Sequence, residues 1–412
     1  MPRFLFFNQH YAPDVASTGQ HLTDLAESLV AKGHQVEVVA SRSDYNGGRL
    51  DAPRREVRNG VEVRRIRSTS FGRGRNLGRV IDYASFHARI GFEAIIGRKR
   101  PDVVVTLTTP PLLGLWGEWM RRFRGAKHVC FLMDLHPDAE IALGMLKADS
   151  WLGKILRAGQ RMPINRSTKS VVLGPYMGAR LIADGVDPER LTTIPIWGDG
   201  EELSDVGDTE AWRAERGWTD KFVVMYSGNA GRVHRFGELQ AAAEALETRA
   251  PDVHFAFVGG GPQRPALEAW GQNRPNVSFH PYVDRRDLGT SLASADVHFA
   301  SLDPVAAGVS VPGKIIGILG ASLPIVFVGP AASESFETVR ASGAGIALEP
   351  GGDVAEAILA LRDDRELTER ARARGRAWFL EHHERGVVCE RWRALLEELS
   401  GHVEAARVEV SV

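Results

Sequence analysis

The chain has 412 residues, more than one hydrophobic core usually serves, which predicts two domains. Its 43% hydrophobic and 25% charged residues exclude a disordered or fibrous chain. The net charge is −1, but residues 1–199 hold 29 Lys+Arg against 20 Asp+Glu, residues 200–412 hold 22 against 32, and residues 42–127 hold 19 against 8.

The basic segment 42–127 reads either as a solvated face or as contact with an anionic partner, such as an anionic membrane surface or a phosphate-bearing acceptor. No helix-turn-helix, zinc or RNP pattern is present, so no nucleic-acid partner is expected. Two cysteines, Cys130 and Cys389, are too few for a disulfide framework, and Cys130 within VCFLM reads as a buried, inert thiol. The opening MPRFLFFN is too short an apolar run for a secretory signal. No stretch approaches the ~18 apolar residues of a membrane span. A cytoplasmic, reducing setting is therefore expected.

In chain order, RFLFFN (3–8) reads as a buried strand. Thr18–Lys32 follows as a helix with Leu22, Leu25, Ala26, Leu29 and Val30 on one face and Gly33 as its stop. QVEVVAS (35–41) is the next strand, and VRNGVEVRRIR (57–67) carries an Asn59-Gly60 hairpin turn. Strands are predicted at 101–110, 127–134, 169–174 and 191–196, with helices between them. Repeated βα units predict a parallel, doubly wound sheet.

IWGDGEELSDVGD (196–208), rich in Gly, Asp and Glu, reads as a linker. The pattern then restarts, with strands at 221–229, 253–261, 277–283, 295–302, 324–329 and 345–350. Three helices, roughly 354–362, 366–380 and 386–400, finish the chain. The fold class is α/β, with two tandem Rossmann-like domains, 1–199 and 200–380. The last helices, about 381–412, are expected to pack back on the first domain. Ligands of such sheets bind beyond the carboxyl ends of the strands, so the expected site is an interdomain cleft.

FVGGGPQRP (257–265) ends a strand in a glycine triplet. It is a poor nicotinamide fingerprint, because Pro262 and Pro265 fall inside the would-be G-x-G-x-x-G frame. A dehydrogenase is disfavoured. Followed by NVSFHPYV (276–283) and ADVHFASL (295–302), the stretch resembles the donor domain of GT-B glycosyltransferases, in particular family 4. FNQHYAPD (7–14), KGHQVEVVAS (32–41), TTPPLLGL (108–115), DLHPD (134–138) and GPYMGARLIADGV (174–186) are similar to pieces of its polysaccharide-assembly branch. The resemblance covers nearly the whole chain. It implies GT-B architecture and retaining transfer from a nucleoside-diphosphate sugar. The resemblance implies a polysaccharide or glycoconjugate pathway, and the basic segment 42–127 suggests a lipid-diphosphate-linked saccharide at the inner membrane face as acceptor.

A departing nucleoside diphosphate leaves charge that cations and backbone N–H groups must meet. Two elements suit this. The loop Ser227–Arg232 offers Gly228, Asn229, Gly231 and Arg232, with His234 as a second positive group. The loop Ala307–Lys314 offers Val309, Ser310 and Gly313 ahead of a helix, with Lys314 at its mouth. Gly261 belongs with the donor set. Family 4 enzymes often carry two glutamates across this loop. Here those positions are Val309 and Gly317, and the loop resembles a V-P-S-K variant. The resemblance places the base near Phe279–Val283, with Tyr282 either a base neighbour or plain core.

In the first domain, Asn8, His10 and Tyr11 follow the first strand, and Ser17, Thr18 and Gly19 are expected to cap the first helix. The resemblance makes Asp134 or His136 an acceptor-orienting or proton-accepting group, with Arg232 and Lys314 in the catalytic set. It also implies that the departing phosphate deprotonates the acceptor. No Asp-x-Asp pair follows a strand in the expected place, so no metal and no cofactor are expected. Arg73, Arg75, Arg79, Arg121, Arg122 and Arg124 carry the basic face. Alternatives are a nucleotide-sugar 2-epimerase of the same fold and a non-catalytic two-lobe sugar-binding protein.

Overall fold

A computed structural model describes residues 1–45, 48–71, 76–97 and 100–402. Arg73, Arg75 and the side chain of Arg79 lie outside the described residues. The chain divides into two units, Met1–Ile194 with Val388–Val412, and Pro195–Val387.

The first unit holds an eight-stranded sheet: β1 (Arg3–Phe7), β2 (Gln35–Ser41), β3 (Arg55–Arg58), β4 (Val61–Ile66), β5 (Val103–Thr106), β6 (Lys127–Phe131), β7 (Lys169–Val172) and β8 (Leu191–Thr193). Their spatial order is β3-β4-β2-β1-β5-β6-β7-β8. All neighbours are parallel except the β3–β4 hairpin, whose turn places Asn59 at φ 47° and Gly60 at φ 82°. Strands covered on both faces read as unbroken apolar runs, and β5, VVVT, is buried throughout. The edge strand β3, REVR, alternates exposed and half-buried residues and blunts the edge with arginines.

The second sheet contains β9 (Phe222–Ser227), β10 (Val253–Val258), β11 (Val277–His280), β12 (Val297–Ser301), β13 (Ile325–Val328) and β14 (Gly345–Leu348). Its order, β11-β10-β9-β12-β13-β14, is a Rossmann order that reverses between β9 and β12. The first sheet reverses in the same way between β1 and β5. β9 and β12 pair only at Val224–Val297 and Met225–His298. Tyr226 and Ser227 on one side, and Phe299 to Ser301 on the other, lie beyond that pairing, at the point where such sheets open a crevice.

The segment 196–208 is not a linker. Trp197 and Leu203 are buried, and Asp199 caps the helix Gly200–Ser204 by accepting from the Glu201 and Glu202 N–H groups. Asp208 caps the next helix, Thr209–Glu215. The excess of Gly and acid is capping chemistry rather than flexibility.

Three helices end the described chain, Val354–Asp363, Arg365–His382 and Arg385–Ser400. In the last, Trp392 is fully buried, with its ring 4.5 Å from that of Phe131. Glu397 meets His34 Nε2 at 2.8 Å, so the terminal helix is an integral layer of the first unit. Trp392→Ala is expected to lower the unfolding free energy of that unit by ~3–5 kcal/mol, the scale of a large side chain lost from a core. Urea denaturation checks this, and an unchanged midpoint would detach the helix from the core.

Candidate functional site

The loops after β9 and β10 are bound together by their backbones. Gly228 N donates to Val258 O at 2.8 Å, Ala230 N to Gly260 O at 2.6 Å, and Gly259 N to His280 O at 3.0 Å. Two glycines are sterically required. A Cβ on Gly259 (φ +125°) would sit 2.2 Å from Gly228 O, and one on Gly261 (φ +119°) would sit 2.4 Å from Asn229 Oδ1. Gln263 Nε2 reaches across to donate to Gly231 O at 2.6 Å and to His234 O at 2.9 Å. The result is a rigid glycine shelf at the carboxyl end of the sheet, with Asn229 and Arg232 exposed on it.

Lys314 begins the helix Lys314–Gly320. Its ammonium does not point into water: Nζ donates to the Tyr226 hydroxyl and lies 3.7 Å from the ring centre. Tyr226 Oη donates onward to Asn229 O at 2.8 Å, which ties the lysine to the glycine shelf. Burial holds Lys314 well below the ordinary lysine pKa.

His234 stands beside this pair. Its Nδ1–H donates to Ser301 O at 2.7 Å, at the end of β12. Burial, and then the charge of Lys314, push its pKa down to about 3. The sequence expectation of a second positive group is therefore corrected. His234 is a neutral imidazole with Nε2 left as an acceptor, suited to a hydroxyl rather than a phosphate.

The remaining donor-loop residues divide. Gly313 is exposed and Ser310 half-buried, whereas Val309 is fully buried and its N–H bonds Ala306 O at 3.0 Å. The Val309 side chain thus belongs to the buried core rather than to the exposed rim of the loop. Tyr282 is 60% exposed, which rules out plain core. A Cβ at Gly260 would lie 3.0 Å from its ring, so the phenol lies over the glycine shelf like a stacking platform.

Two family descriptions match the chain: Glycosyl transferase 4-like domain over residues 18–197, and Glycosyl transferases group 1 over residues 221–364. The chain belongs to glycosyltransferase family 4, with the GT-B fold. It is 25% identical over 376 residues to the glycosyl transferase WcaI of Escherichia coli K12, whose name places it in colanic acid biosynthesis. That match covers 87% of this chain and 90% of the relative. Among solved structures, sucrose-phosphate synthase from Thermosynechococcus elongatus superposes with a TM-score of 0.77 at 16% identity, covering 98% of this chain and all (100%) of the other. Anabaena HepE, solved with UDP and glucose, gives a TM-score of 0.71 at 16% identity, covering 97% of this chain and 100% of the other.

In the first unit of this family 4 glycosyltransferase, β1 runs into Asn8 and His10. Both are buried, and Asn8 Nδ2 donates to His10 O at 2.7 Å. His10 Nδ1 meets Asp14 Oδ2 at 2.6 Å, and Asp14 Oδ1 accepts from Ala16 N at 3.3 Å. Asp14 thus fixes both the imidazole and the entry to the helix Ser17–Ala31. The expected cap at Ser17–Gly19 is corrected: Ala16 occupies the N-cap without a side-chain bond, and Ser17, Thr18 and Gly19 form the first turn. Gly19 is buried because a Cβ there would lie 3.1 Å from the His10 backbone.

Tyr11 is also corrected. It is 1% exposed, its hydroxyl has no hydrogen-bond partner among the described residues, and burial raises its pKa. It is core, not ligand surface. Asp134 and His136 follow β6 and are half-buried; His136 Nδ1 meets Glu140 Oε1 at 2.9 Å. Asp138, in the same motif, is instead a buried anchor for Arg157 at 2.8 Å and Arg161 at 2.5 Å.

Sequence reasoning missed Tyr226, Gln263 and Asp14. Tyr226 lies inside an apolar strand and reads as core, and only the crossing of two loops makes it the seat of Lys314.

The burial of Lys314 makes a pH prediction. The unfolded chain keeps this proton up to the ordinary value of 10.5, while the folded chain releases it well below that. Between the two values the unfolded state holds more protons, so stability rises with pH across that window. Below the window the fold carries the full cost of burying an ammonium. Lys314→Met is expected to raise the melting temperature near neutral pH, with the gain shrinking as the pH approaches ~10. A neutral-pH melting temperature equal to or below wild type would show that the lysine is not desolvated.

Proposed function

We propose that this glycosyltransferase moves a hexose from a nucleoside-diphosphate sugar to a saccharide acceptor carried on a lipid, with retention at the anomeric carbon. The product belongs to the assembly of a surface polysaccharide. The observation that carries this is Lys314 held against Tyr226 at the crevice of the second sheet, with no carboxylate among the described residues bonded to its Nζ. An ammonium desolvated without an acid is poised for an anionic ligand. A diphosphate restores the counter-charge that the fold withholds.

In the reaction, the bond from the anomeric carbon to the β-phosphate oxygen breaks and its electron pair stays on the diphosphate. The acceptor oxygen bonds that carbon from the same face, and its proton passes to the departing phosphate. Lys314 and the exposed Arg232 stabilise the charge that develops there. The neutral His234 Nε2 accepts from a sugar hydroxyl. Tyr282 stacks on the nucleobase. His10, fixed by Asp14, orients an acceptor hydroxyl, with Asp134 and His136 at the end of β6 as further acceptor contacts. These cationic groups take the role of a divalent ion, so transfer proceeds without metal.

Support for a nucleotide sugar comes from HepE, a fold neighbour that holds UDP and glucose. Support for a polysaccharide comes from WcaI, named for colanic acid biosynthesis. UDP is therefore the first nucleotide to test. It is expected to raise the melting temperature, as any ligand specific for the folded state does. No shift with UDP, GDP, dTDP or ADP would remove the nucleotide from the reading. Lys314→Ala is expected to lower turnover by ~10²–10³, the scale of one charge-stabilising donor, with chelators leaving the wild-type rate unchanged. A wild-type rate in Lys314→Ala would take the lysine out of the reaction.

A further inference from the structure

Helix Asn76–Ile96 is apolar on two faces. Phe86, Ile90 and Ala94, spaced four apart, are buried in the core of the first unit. The outward side should then be polar, as on most surface helices. Instead Val80, Ile81, Phe92, Ile95 and Ile96 are 61%, 42%, 55%, 52% and 56% exposed. Ala84 and Ala88, also exposed, continue the stripe at four-residue spacing. The stripe does not end with the helix. Arg124 Nη1 donates to Ala94 O at 3.1 Å, which brings the end of helix Gly114–Arg124 alongside and adds Phe123, 65% exposed. On the other side a cavity of about 660 Å³ opens between the helix and the sheet, and Val57 on its rim is 71% exposed.

Cations surround this surface. Arg89 and Arg122 are exposed, and Arg122 lies 5.5 Å from the Phe123 ring centre. Arg55 shares a strand face with Val57 at two-residue spacing. The acids nearby are engaged within the protein: Glu37 and Glu93 both pair with Arg64, and Glu56 pairs with Arg65. Together with 19 basic against 8 acidic residues in 42–127, an apolar stripe framed by arginines is complementary to an anionic bilayer surface. A protein partner for so basic a face would need a matching acidic surface, and a second copy of this chain would set arginines against arginines.

We propose that the outward face of helix Asn76–Ile96, with Phe123 and Val57, inserts into the headgroup region of an anionic membrane. Apolar side chains bury there, and Arg55, Arg89, Arg122 and Arg124 meet lipid phosphates. The choice of lipid as occupant rests on the lipid-carried acceptor proposed above. The docking itself is separable from catalysis, because none of these residues belongs to the nucleotide site.

The test is co-flotation of the full chain with vesicles of phosphatidylcholine alone and of phosphatidylcholine mixed with phosphatidylglycerol. Binding is expected to the mixed vesicles only. It should weaken with salt and fall about tenfold for each of Phe92→Ser, Ile95→Ser and Ile96→Ser, the scale of one apolar side chain returned to water. These side chains are exposed, so folding is expected to survive, and the nucleotide-induced melting shift should be unchanged. Ile95→Cys gives a second measurement. Cys130 and Cys389 are buried, so an environment-sensitive dye labels position 95 and should shift to the blue on mixed vesicles.

Flotation indifferent to the serine substitutions, or a dye signal indifferent to lipid, would overturn insertion. A dimer in solution that the substitutions dissociate would assign the face to a second copy and overturn the lipid. Absent flotation with an intact nucleotide shift would overturn docking while leaving the glycosyltransferase reading in place.

Discussion

A single desolvated ammonium organises the second unit. Lys314 is placed where β9 and β12 stop pairing, and a parallel sheet must open at its point of reversal. The opening supplies space but no counter-charge, and Tyr226 offers only a hydroxyl and the face of a ring. The rest of the site accommodates this. His234 is kept neutral by burial and by the charge of Lys314, which outweigh its bond to Ser301 O, so it does not add a second buried cation. The glycine shelf brings backbone close to the same place because no Cβ fits at positions 259 and 261. A site built this way carries the cost of a desolvated ammonium, a strain of the kind that function commonly sets against stability.

Much of the fold was legible in the sequence because parallel strands buried on both faces leave unbroken apolar runs. Each such run, from RFLFFN to GIALEP, forms a strand. The hairpin at Asn59-Gly60 was legible because its turn requires positive φ at both residues. Segment 196–208 misled because composition does not distinguish caps from flexibility: Asp199 and Asp208 are exposed-loop residues by type and helix caps by position. Within the candidate site, the glycine loop after β9 and the helix start at Lys314 were legible as elements of the fold. The charge state of His234, the burial of Tyr11 and the role of Tyr226 were not, since each depends on what a distant loop places against it.

The two units solve the same topological problem differently. In the second, the crevice is lined by glycine backbone and one buried cation. In the first, the strand end carries a buried polar cluster, with Asn8 bonded to His10 O and His10 bonded to Asp14. A phosphate needs amides and positive charge, whereas hydroxyl groups are recognised by imidazole and carboxamide, which donate and accept. The two strand ends therefore offer different chemistry, backbone and positive charge in the second unit and an imidazole with a carboxamide in the first.

The missing glutamates of the donor loop can be argued from packing. Val309 is fully buried, and a carboxylate in its place would be driven into the core without a partner. Here loop shape excludes the acid. Gly317 is different: a Cβ added there meets nothing within 4 Å, so the fold would tolerate a longer side chain. The absence of an acid at 317 is therefore not imposed by sterics. A glutamate there would stand three residues along from Lys314, a spacing at which opposite charges on one helix can meet. The two departures from the two-glutamate pattern thus differ in origin: packing excludes an acid at 309, whereas the space at 317 is left open.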